Sequence, residues 1–64
     1  MPDVEAYRRA AAECLDVAAA TSSQDVRTRL IMLAGKFYEL ANFGGSDEVF
    51  RSLIDEFNQY QMYR

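Results

Sequence analysis

Cys14 is the most nucleophilic side chain in this 64-residue sequence, and the chain contains no histidine that could act as its base. A thiol becomes a nucleophile only when something stabilises its thiolate, such as a base, a cation or a helix N-terminus. At helical spacing Cys14 instead falls on the same face as Val4, Tyr7, Ala11, Leu15 and Ala18, which predicts a small buried hydrophobe. One cysteine cannot form an intramolecular disulfide, and one thiol without histidine falls short of the three or four ligands of a zinc site. The carboxylates offer two adjacent pairs, Asp47-Glu48 and Asp55-Glu56. Neighbours on a helix point about 100° apart, so neither pair can share a proton, and solvated faces or helix N-termini explain them. Gly44-Gly45-Ser46 lacks the spacing, the lysine and the preceding strand of a phosphate loop. No catalytic residue, cofactor site or metal site is predicted.

The cations Arg8, Arg9, Arg27, Arg29 and Lys36 are the residues that nucleic-acid contact would use. Phosphate affinity grows with the number of charges neutralised, and these five sit in a chain of net charge -3. Ion pairing along the helices is the simpler expectation: Arg9 with Glu5 or Glu13, and Lys36 with Glu39. Nucleic acid is therefore not the expected partner, and a regulator built on these five side chains ranks as the alternative reading.

The elements that position all these groups read as three helices separated by two short breaks, with no strand signal. Helix one, about 3–20, starts near Asp3 as N-cap, and its alanines favour helix on propensity. The break Thr21-Ser22-Ser23 resembles a capping box led by Ser22 and joins antiparallel neighbours. Helix two, about 23–42, carries the clearest period, Val26, Leu30, Leu33, Phe37, Leu40 and Ala41. Ile31, Ala34 and Tyr38 widen that apolar arc, Met32 lies on its outer side, and Gly35 in mid-helix predicts a point of close packing. Gly44-Gly45 ends helix two and Ser46 caps helix three, about 47–61, whose apolar face is Val49, Phe50, Leu53, Ile54, Phe57 and Tyr60. Polar and aromatic residues after Tyr60, including Tyr63, predict a fraying end.

Size turns this all-α reading toward a partner. A chain of this mass exposes ~10,600 Å² unfolded and ~4,200 Å² folded. With roughly 60% of the buried area apolar, burial gives ~96 kcal/mol, which ordering 64 residues at ~1.5 kcal/mol each cancels. Disulfide and metal being excluded, the remaining aid is another chain. Nothing in the sequence resembles a signal peptide or a bilayer span, which predicts a cytoplasmic protein. A homo-oligomer or a protein partner is expected, contacting Ile31, Met32, Tyr38, Phe50, Ile54, Phe57 and Tyr60. An enzyme or ligand site at a dimer seam ranks third.

Tyr7-Arg8-Arg9 with Ala12-Glu13-Cys14-Leu15, followed by Thr21, Arg27, Leu30, Leu33-Ala34 and Glu39-Leu40-Ala41, resembles a group of short proteobacterial helical-hairpin proteins of no known activity. Their pattern is Y-R-x-x-A-x-E-C-L, a polar turn, R-x-x-L-x-x-x-A and L-A, matched here over about residues 4–43. The resemblance implies a helical hairpin that pairs into a four-helix bundle, and it implies no catalytic residue. The Gly-Gly break and aromatic third helix depart from the group, which places partner specificity there. The expected architecture is an antiparallel hairpin plus a C-terminal helix, either a three-helix bundle or a helical-bundle homo-oligomer. The expected function is a small non-catalytic interaction module.

Overall fold

A computed structural model of the chain describes residues 4–61. It holds α1 (Val4–Ala20), α2 (Gln24–Phe43) and α3 (Asp47–Tyr60), with no strand among the described residues. The protein is an all-α three-helix bundle in which α1 and α2 form an antiparallel hairpin and α3 packs on both. No helix among the described residues is long and apolar enough to cross a membrane. Asp3, the expected first cap, and Tyr63 lie outside the described residues.

Each break has an identifiable cap. The Ser23 hydroxyl accepts from the Val26 N–H at 3.3 Å and that of Ser46 accepts from the Val49 N–H at 3.2 Å, satisfying a free donor at the start of α2 and of α3. The cap of α2 is thus Ser23 rather than Ser22. At the other end of α2, Gly44 takes φ 82° and donates its N–H to the Leu40 carbonyl at 2.9 Å. An L side chain is strained in that conformation, so the glycine is what lets the chain leave the helix there.

The first turn is held from across the hairpin. Thr21 is buried, its N–H donates to the Val17 carbonyl at 3.0 Å, and its hydroxyl accepts from the Ser23 N–H at 3.3 Å. Arg27, one turn into α2, reaches back to the end of α1. Its Nε donates to the Ala18 carbonyl at 3.1 Å and its Nη2 to the Thr21 carbonyl at 2.9 Å. The last turn of α1 has no basic residue of its own. Arg27 therefore supplies the positive charge and the donors that the carbonyl end of a helix lacks.

The core sits along the hairpin seam. Ala10, Ala11, Cys14, Val17 and Ala18 of α1 face Val26, Leu30, Leu33, Ala34, Phe37 and Leu40 of α2, all buried. Small residues on one helix and large ones on the other let the two backbones approach closely. Phe50 of α3 locks the third helix on: its ring lies 4.8 Å from that of Tyr7 and 5.7 Å, edge-on, from that of Phe37. Leu53 and Phe57 complete the contact. The Tyr7 hydroxyl is buried there without a hydrogen-bond partner, which costs about 1–3 kcal/mol.

Three expectations are corrected by this packing. On α1, Val4 and Leu15 stay exposed while Ala10 and Val17 are buried in their place. Val49 of α3 is exposed as well. Gly35 is not a point of close packing within the chain, since a Cβ added there meets nothing within 4 Å.

Candidate interaction surface

The groups with chemical potential are held apart. Cys14 is fully buried, and desolvation, with Glu13 and Glu56 adding negative charge, pushes its thiol from 9.0 up to about 12. A thiol held that far from ionisation is inert. Asp47 and Glu48 occupy the first turn of α3, where the helix dipole favours them. No cluster of three or more metal-ligating side chains forms among the described residues.

The five cations do not converge on one surface. The two hydrogen bonds to the end of α1 commit the guanidinium of Arg27. Arg29 lies 3.8 Å from Asp25. The ion pairs expected for Arg9 and Lys36 do not form. At about 100° per residue, Arg29 and Lys36 point toward α3, Arg27 points nearly opposite, and Arg8 and Arg9 diverge on α1.

The predicted partner residues separate into three groups. Phe57 is 2% exposed and belongs to the core, and Phe50, Ile54 and Tyr60 are partly buried against it, so the α3 aromatics are mainly internal. Phe57 is thus core rather than contact surface, while Phe50, Ile54 and Tyr60 pack on the hairpin with part of their surface still exposed. Met32, 63% exposed, lines a groove of about 240 Å³ between α2 and α3 with Arg29, Lys36, Glu56 and Tyr60. Nearby, the end of α2 and the start of α3 leave a cleft of about 440 Å³ lined by Leu40, Phe43, Val49 and Leu53, with Lys36 and Glu39 at its lip. Ile31 and Tyr38, 51% and 40% exposed, lie about 100–120° round α2 from Met32, on the side away from α3.

Ile31 and Tyr38 have company that sequence reading missed. Val4 and Leu15, each 40% exposed, lie on the corresponding shoulder of α1, so four large apolar side chains share the hairpin face opposite α3. Both shoulders of α1 are apolar in sequence, and which is bare depends on the side of the hairpin that α3 takes. The right-handed sense of both helices, run antiparallel, settles the placement: the Val4 and Leu15 shoulder and the Ile31 and Tyr38 shoulder emerge on one side. On α2 the face continues as Gln24, Thr28, Ile31, Gly35, Tyr38 and Asn42, all exposed and none charged. Their 4-3-4-3-4 spacing keeps one stripe in line over the whole helix, and it was the readable signal. No protein family, curated protein or solved structure matches this chain, so this face is the feature from which a function can be argued.

Proposed function

We propose that the protein is a small non-catalytic helical interaction module, acting as a homodimer or as an accessory subunit, with the hairpin face opposite α3 as its contact surface. One observation carries this reading: Val4, Leu15, Ile31 and Tyr38 are exposed together on a face that no element of the described chain covers. Large apolar side chains exposed together on one face of so small a domain mark an interaction site. The marginal energetics of a chain of 64 residues point the same way. The nucleic-acid alternative draws no support from the dispersed cations.

Photo-crosslinking in the native cell tests it. With Tyr38→benzoylphenylalanine, irradiation is expected to yield a discrete adduct with a protein chain, whereas Arg51→benzoylphenylalanine, on the exposed side of α3, yields none. Absence of an adduct from both position 38 and position 31, or equal adducts from position 51, overturns the reading.

A further inference from the structure

We infer that the occupant of the open hairpin face is a second copy of this chain, docked through a two-fold axis that crosses α2 between Ala34 and Gly35 and α1 between Arg9 and Ala10. The inference rests on the interaction-module reading and adds the partner and the geometry.

The spacing of the four exposed residues is self-complementary. Ala20 and Gln24 flank the first turn, and Tyr7 and Phe37 meet at the same Phe50 ring. Residues at one level of the hairpin therefore have numbers that sum to about 44, at a rise of about 1.5 Å per residue. The midpoint of Ile31 and Tyr38 falls between Ala34 and Gly35, and that of Val4 and Leu15 between Arg9 and Ala10. These two midpoints are level. A single two-fold axis lying in the face and running across both helices thus sets Ile31 against the second copy's Tyr38, and Val4 against its Leu15. An isologous interface requires this kind of match, in which one patch complements itself.

The centre of the face permits the approach. Gly35 has open space where a side chain would stand. Antiparallel α2 helices can meet there with their axes near the short end of the usual ~8–10 Å. Charge on the face is mixed. Glu5, Asp16 and Glu39 point about 80–100° away from its nearest large apolar residue, whereas the exposed Arg8 and Arg27 lie within about 40° of Val4 and Leu15 and of Ile31 and Tyr38, so cations border the contact. The Gln24, Thr28, Ile31, Gly35, Tyr38 and Asn42 stripe itself carries no charge. The area is sufficient as well. A face as long as α2 and about as wide as the 17 Å extent of the molecule buries roughly 1,000 Å² over both partners, the threshold for a specific contact.

Sedimentation equilibrium of the purified chain across the micromolar range is expected to show a dimer of the 7.3 kDa unit. Ile31→Gln and Tyr38→Gln are each expected to raise the dissociation constant about tenfold or more, with helicity by circular dichroism intact. Met32→Gln, on the far shoulder, is expected to leave it unchanged. A separate positive signal guards against misfolded variants. In a Cys14→Ala background, Gly35→Cys is expected to form a disulfide-linked dimer when oxidised glutathione takes up the two electrons. Lys36→Cys, facing α3, is expected to stay unlinked. A chain that sediments as a monomer throughout overturns the second-copy inference, as does association indifferent to positions 31 and 38, or equal linking at 35 and 36. A monomer that still gives a discrete Tyr38 photo-adduct with a different protein leaves the interaction-module reading standing, so the two failures are distinguishable.

Discussion

The two faces of the hairpin carry apolar side chains in comparable number, and they differ in what happens to them. On one, Tyr7 and Phe37 receive Phe50, and Leu33 and Leu40 lie beneath α3. On the other, Val4, Leu15, Ile31 and Tyr38 meet solvent. Among the described residues, α3 covers one side of this two-helix layer and no element covers the other. The uncovered side then holds the apolar surface that a partner can use, while the covered side does the work of folding.

The largest expected effect comes from stripping the covered face. Phe57→Ala removes a ring that is almost wholly buried and should cost about 3–5 kcal/mol. The lowered urea midpoint should come with increased binding of an apolar dye as α3 loosens. A loss below about 1 kcal/mol would mean that α3 is barely docked, and the contrast between the faces would collapse. Arg27→Ala should cost about 1.5–3 kcal/mol, since it removes charge-assisted hydrogen bonds from two carbonyls at the end of α1. Arg27→Lys should recover only part, because an ammonium lacks the planar fork that serves both acceptors. Neither change should shift the photo-adduct at position 38 if the open face is independent of the turn.

A pH-dependent effect reports on how dry the hairpin seam is. The Cys14 thiol ionises near 9.0 when free and at about 12 in the fold. Above pH 9 the unfolded chain therefore releases a proton that the folded chain keeps. Stability present below that pH is lost as pH rises toward 12, by up to ~1.4 kcal/mol per unit. Urea titrations of the native chain and of Cys14→Ala should converge between pH 9 and 11. Parallel curves would place the thiol in a wetter site than its burial implies.

Much of this was legible in the residues, and the exceptions share a cause. The period of α2, the serine that starts α3 and the glycines that end α2 are local, so sequence spacing displays them. The motif residues also have local or pairwise tasks: Tyr7 and Cys14 fill the seam, Thr21 closes the turn and Arg27 holds the end of α1. The partner surface was only half legible. Ile31 and Tyr38 stand out because the arc of α2 is too wide for one neighbour. Met32 was grouped with them, and Val4 and Leu15 were assigned to the core, because the side on which α3 docks is a tertiary fact with no local signature. Arg27 likewise read as a free cation, since its acceptors are backbone carbonyls that every residue carries.

Gly35 gives the finest test of the comparison, because its effect should change sign between the single chain and the assembly. Within the chain a Cβ at this position meets nothing, and glycine in a helix interior is up to ~1 kcal/mol worse than alanine. Gly35→Ala should therefore stabilise the isolated fold by up to that amount, read in urea at concentrations where the chain is monomeric. On the open face the same methyl group enters the space where two α2 helices approach, so the variant should dissociate at a higher concentration than the native chain. A gain in stability with unchanged association would move the contact away from the centre of the α2 stripe. A loss of stability in the monomer would mean that the glycine serves the chain's own packing after all.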